Sequence, residues 1–346
     1  MLVKYLGLVW DDKLKQNVPR TTFLNDGLFR FTQPKFLNDK GSEARFDAYY
    51  DEYSAVDIEW AKTQYLKQSI DFECTMAIDK LIAIFLEPTG CRFGDCMPWL
   101  VKETGFETMA EYDYNTFEKG VLAMNHAVIE LLSAHVGVFS LCKSDSSVYM
   151  WTHYASEGKG IAVVFKEDHS FFKDYPAKGV SYNREDRATI SYQKGLFRIN
   201  GHPAENFKVV KSDTGKLSIK LPRNIDWEEL TNRLIYSKDA NPWLVEEEMR
   251  IVLPLDCCDV GNGKILTPEL DESLVYIPNL TDKKYSEVCL KKIPLDAVES
   301  IIVGFDTDPT YKQVIIDKLA STAELSHINI KQVQYNVFNK LEVVDI

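Results

Sequence analysis

Two short stretches hold the side chains best suited to chemistry. The first is Glu246-x-Glu248-x-Arg250, set against Glu247, Met249, Ile251 and Leu253. Read as a strand over 246–255, its side chains alternate, so Glu246, Glu248 and Arg250 share one face while the three apolar residues choose the core. Alternate residues on a face stand roughly 7 Å apart. A guanidinium beside carboxylates keeps a carboxylate ionised, which suits stabilisation of a developing cation. The same spacing also describes a solvated strand face carrying ladder-type ion pairs, each worth little.

The second stretch, 149–165, carries Tyr149, Trp151, Thr152, His153 and Tyr154 and runs through Gly158, Lys159 and Gly160 into an apolar strand. A short helix would put Tyr149 with His153, and Met150 with Tyr154, on one face each. Histidine can act as acid, base or hydrogen-bond donor near neutral pH. Beside a glycine turn, His153 reads equally well as a structural residue satisfied by a backbone carbonyl. Trp151 reads as core before it reads as a stacking platform.

Several chemistries lack their motif. Gly158 and Gly160 are too close together for a phosphate-cradling loop, and no GxGxxG, GxSxG, HExxH or kinase signature occurs. Cys142 lies eleven residues from His153, a weak hint of a thiol nucleophile or hydrolase. The 6 His are scattered and the 7 Cys irregularly spaced, so no metal site is expected.

The elements that must position these residues follow from local patterning. Residues 2–9, carrying Lys4 and Tyr5, read as a first strand, and 27–34 as a second stopped by Pro34. Asn38 and Asp39 read as a turn or cap. Apolar residues at three- and four-residue spacing make 43–85 and 108–134 helical. A β-rich part resumes with strands at 136–141, 160–165 and 179–182, a helix at 225–236 and the strand at 246–255. The chain closes with a strand at 297–304, a helix at 309–325 and a strand at 327–335. The expected architecture is one α+β domain over 1–346, with a mixed or antiparallel β core, a helical insertion at about 43–135 and a C-terminal strand–helix–strand unit.

The net charge of −12, with no basic stripe, argues for a protein or small-molecule partner over nucleic acid. The basic patch at 208–220 is short and interleaved with acids. No apolar run reaches transmembrane length, and irregular cysteines with no signal-type segment lead us to expect a reduced, cytoplasmic setting.

Several of these segments together resemble a known family. Phe31, Thr32, Gln33, Pro34, Phe36, Asn38 and Asp39 are similar to its strand–proline element. Phe139 and Ser140, then Met150 to Tyr154, then 160–165, resemble its central signature. Val180 to Tyr182, then Lys238, Trp243 and Glu246-x-Glu248-x-Arg250, resemble its later motifs. The family is the bacterial domain-of-unknown-function 2971 group, whose layout is similar to the ADP-ribosyltransferase fold. That fold carries Arg or His on a first strand, Ser or Tyr in a middle region and Glu on a late strand.

The resemblance implies NAD as co-substrate. It implies Glu248, Glu246, His153 and Tyr154 as catalytic residues, and Lys4, Tyr5, Ser140, Trp151 and Arg250 around the cofactor. Lys4 stands where the fold expects Arg or His. The resemblance also implies a place among bacterial defence or toxin proteins. The alternative is a non-catalytic binding or sensor module that uses the helical insertion, with its aromatic and acidic run at 46–53, as its partner surface.

Overall fold

The computed structural model describes residues 1–12, 14–38, 44–88, 98–204, 208–211, 217–220, 226–261, 270–271, 274–277 and 288–346. Its centre is an eight-stranded sheet. In chain order the strands are β1 (Leu2–Leu6), β2 (Val136–Cys142), β3 (Ile161–Phe165), β4 (Lys178–Gly179), β5 (Glu248–Pro254), β6 (Val298–Val303), β7 (Asn329–Tyr335) and β8 (Leu341–Asp345). Their order across the sheet is β4-β5-β2-β1-β3-β6-β7-β8. The pairs are antiparallel except β6–β7. With its flanking helices this is a mixed α+β architecture.

The parallel pair needs a crossover, and helix α4 (Pro309–Ser321) supplies it. Asp308 caps the helix by accepting the Thr310 N–H, and Pro309 occupies the first turn, where its missing N–H costs nothing. The C-terminal strand–helix–strand unit is therefore present. β8 adds an edge strand that the sequence pattern did not reveal, because its side chains are only half-buried.

Strand β3 is buried along its whole length. Ile161, Val163 and Phe165 enter one core with Phe29, Phe31, Phe139 and Ile251. Ala162 and Val164 enter a second core on the other face with Val3, Tyr5 and Trp151. A continuous β-branched and aromatic run is what a strand covered on both faces requires. The glycine turn before β3 serves backbone packing: a Cβ on Gly160 would lie 2.2 Å from the Leu6 carbonyl oxygen, and one on Gly304 would lie 2.0 Å from that of Gly158.

The segment 43–135 is only partly helical. Helices α1 (Ala55–Gln68) and α2 (Met109–His135) are there, each opened by a capping box, from Ser54 to Asp57 and from Thr108 to Glu111. Asp47–Tyr50, expected as helix, is instead a strand lying parallel to Thr189–Gln193. Its aromatic residues suit a half-buried pleat better than a helix. The tyrosines of this run are engaged within the chain: Tyr50 donates to Asp113 and Tyr53 to the Leu86 carbonyl. Asp39, the cysteines at 91 and 96, and parts of the basic patch at 208–220 lie outside the described residues. No helix among the described residues is long and apolar enough to cross a membrane.

Candidate functional site

The sheet is open at one seam. β1 pairs with β3 over five residues, but with β2 at Val3 and Cys142 alone. Beyond that point Thr32 takes over as β2's partner, exchanging hydrogen bonds of 2.8 Å with Val138 in both directions. Lys4 projects into the resulting gap. Its ammonium donates to the Ser140 carbonyl at 2.8 Å and sits 4.9 Å from the centre of the Phe139 ring. A cleft of about 630 Å³ opens here, with Lys4, Arg20, Arg30, Tyr154, Lys238, Glu246 and Glu248 among its lining residues.

Glu246 and Glu248 line the cleft, and the charged face of the Glu-x-Glu-x-Arg stretch is interior. Arg250 is 0% exposed, Glu246 3% and Glu248 7%. The opposite side chains, Ile251 and Leu253, are in the aromatic core as expected. The solvated-face reading is thus overturned: this end of β5 is buried on both faces. The strand also begins at Glu248, later than 246. Glu246 closes a 3-10 turn (Leu244–Glu246), and Glu247 takes a left-handed conformation at φ 44°.

Arg250 grips Glu248 with a two-pronged fork, Nε to Oε1 at 2.8 Å and Nη2 to Oε2 at 2.9 Å. Its remaining Nη1 donates to the Ile235 carbonyl. Lys238, equally buried, donates to Glu246 Oε2 at 2.6 Å and Glu248 Oε2 at 3.1 Å, and lies over the Trp243 ring. Tyr154 donates to Glu246 Oε1 at 2.5 Å. The Glu248 backbone N–H donates to the Tyr182 hydroxyl oxygen at 3.1 Å.

These contacts drive the two carboxylates apart. Burial pushes both upward. At Glu248 the Arg250 charge and fork, then Lys238, outweigh it and hold the carboxyl at about 2. At Glu246 burial prevails over Lys238 and Tyr154, and the pKa stays raised. Two neighbouring carboxylates, one fixed as an anion and one eased toward protonation, have the electrostatic division that an acid–base pair would require. Burial also lowers Lys4 to about 8, against the pull of Glu248 and with Arg20 and Arg30 adding to the decrease.

Of the residues expected around a cofactor or reaction centre, Lys4, Tyr5, Ser140, Tyr154, Glu246 and Glu248 line this cleft. Arg250 does not line it; its guanidinium is fully enclosed and acts on Glu248. Trp151 is core: it is 0% exposed, its indole N–H donates to the Asp145 carbonyl, and its ring meets Tyr5 edge-on. His153 lies on the exposed side of the short helix α3 (Val148–His153), against Tyr149 at 4.4 Å between ring centroids. It cannot serve Cys142, which is 1% exposed and whose thiol burial pushes upward. Both corrections have one cause. A helix whose Met150 and Trp151 must face the core turns Thr152 and His153 to the outside.

Lys238 was visible only as part of the family resemblance, and Arg20 and Arg30 carried no signal. Lys238 becomes a site residue because the bridge between Ser181 and Ser237 brings its loop beside β5. Comparison with protein-family models, curated proteins and solved structures found no match.

Proposed function

We propose that this chain is an ADP-ribosyltransferase-like enzyme that takes NAD in the cleft between β1, β2 and β5. One observation carries the reading. Lys4 on the first strand, Ser140 on a middle strand and Glu248 on a late strand lie on neighbouring strands and line one cleft, with Glu246 and Tyr154 beside them. That is the arrangement the sequence resemblance implies, with Lys4 in place of its Arg or His.

Cleavage of the nicotinamide–ribose bond develops positive charge on the ribose, as glycoside hydrolysis does. A carboxylate that remains ionised at every physiological pH, held rigid by Arg250, is a pre-organised partner for that charge. Glu246, raised by burial and bonded to Tyr154, is the group able to exchange a proton with an incoming nucleophile. Lys4, Arg20 and Arg30 make one wall cationic, which suits a pyrophosphate. The acidic overall charge favours a protein or small-molecule acceptor.

Titration calorimetry with NAD tests the binding half of this reading. Saturable binding that weakens in Arg30→Ala is expected, whereas no heat of binding in the unaltered chain would remove it.

A further inference from the structure

The cleft-lining lysines Lys4 and Lys238 differ in their partners. Lys238 is buried between two carboxylates, which hold it as an ammonium. Lys4 is half-buried, and among the described residues no carboxylate lies within ion-pair distance of its nitrogen. The strand explains this setting. Leu2 points to the same side of β1 and enters the aromatic core with Phe29 and Phe139, so Lys4 interrupts an apolar face. Its nitrogen lies 4.9 Å from the centre of the Phe139 ring, and its hydrogen-bond acceptor is the Ser140 carbonyl at 2.8 Å. A carbonyl accepts from an amine as well as from an ammonium. An uncharged Lys4 therefore keeps that bond through one N–H and still presents its lone pair.

Arg20 and Arg30 line the same cleft. Desolvation beside other cations is the setting that makes a lysine nucleophilic. Burial is the main cause that lowers Lys4 to about 8; Arg20 and Arg30 add to it, and Glu248 opposes it. At pH 7.4 about a fifth of such amines are uncharged, against about a thousandth for an ordinary lysine.

We propose that Lys4 is a nucleophilic amine that captures a small phosphorylated aldehyde as an imine, with Arg20 and Arg30 holding the phosphate. The nitrogen lone pair attacks the carbonyl carbon, and a C–N bond forms as the C=O π bond opens. The C–O bond then breaks as C=N forms. The two protons lost by the nitrogen leave with the oxygen as one water, and no electrons are exchanged with a third species. Guanidinium groups suit a phosphate, and a cleft of about 630 Å³ is of the size that takes a small molecule.

Pyridoxal 5′-phosphate is the probe. The full chain is incubated with it at pH 7.4, reduced with borohydride, digested and mapped by tandem mass spectrometry, which separates Lys4 from the Met1 amine. Labelling at Lys4 should exceed that at Lys15, which is 73% exposed, by about 10-fold or more. Excess inorganic phosphate, or Arg30→Ala, should lower the labelling at Lys4. Labelling at Lys4 no greater than at Lys15, or unmoved by phosphate, would overturn the proposal. The mapping needs no NAD, so its outcome is separate from the NAD reading of the cleft.

Discussion

Among the described residues, two clusters of buried charge invite comparison, and one of them lines the cleft. In the first, Arg198 (3% exposed) pairs with Asp57 (0%) at 3.5 Å, donates to the Gly201 carbonyl and lies over the Trp60 ring. Asp57 Oδ2 is engaged locally, as the capping partner of Ser54. In the second, Arg250 and Lys238 hold Glu248 and Glu246 in the lining of the cleft. Burial and pairing are alike in the two. What separates them is access, and a pair of carboxylates pushed in opposite directions. A buried ion pair by itself is therefore poor grounds for a functional site; access and divergent pKa values together mark one.

The largest expected effects come from removing each arginine. Arg250→Ala and Arg198→Ala each strand a buried carboxylate and should cost about 3–5 kcal/mol in urea unfolding. NAD turnover per folded molecule should then distinguish the clusters, falling in Arg250→Ala and holding in Arg198→Ala. Equal losses of turnover would erase the distinction drawn here.

Acid titration of stability gives the next largest effect. Glu248 lies at about 2 in the folded chain, below the roughly 4.3 of an unfolded glutamate. Its stabilisation is present above the unfolded value and is lost as the pH falls toward 2. Glu246, raised in the folded chain, has the opposite sign: stability declines as the pH rises from the unfolded value through its folded one. Urea midpoints between pH 2 and 7 should show a flattened acid loss in Glu248→Gln and a gain at pH 7 in Glu246→Gln. The same sign in both variants would break the divergence.

Lys4 offers an alkaline counterpart of similar size. At about 8 when folded and 10.5 when not, it binds fewer protons folded in that window, so stability rises with pH there. Lys4→Met should stabilise the chain at neutral pH, with an advantage that fades above pH 10. The smallest effect is at His153, outside the cleft: His153→Ala should leave stability within about 0.5 kcal/mol and turnover unchanged.

The sequence made much of the sheet legible through local chemistry. The apolar alternation at Met249, Ile251 and Leu253 assigned β5's core face. The opposite face was not legible, because the residues that cover it come from elsewhere. Lys238 arrives on a loop and Ile235 from the end of a helix. Alternation specifies which side chains share a face and says nothing of what lies above it. The same limit placed His153 in the site: spacing grouped it with Tyr149, but the demand of Trp151 for the core decided which way the helix turned. The cationic wall was hidden for a related reason, since Arg20, Arg30 and Lys4 converge only once β1 and β2 part.

Nicotinamide release from NAD, followed for the unaltered chain and for Glu248→Gln, tests the central claim most directly. Turnover by the unaltered chain and a loss of about 100-fold or more in Glu248→Gln are predicted, in line with the removal of one pre-organised electrostatic partner. No release by the unaltered chain, or equal release by Glu248→Gln with its fold intact, would contradict the account.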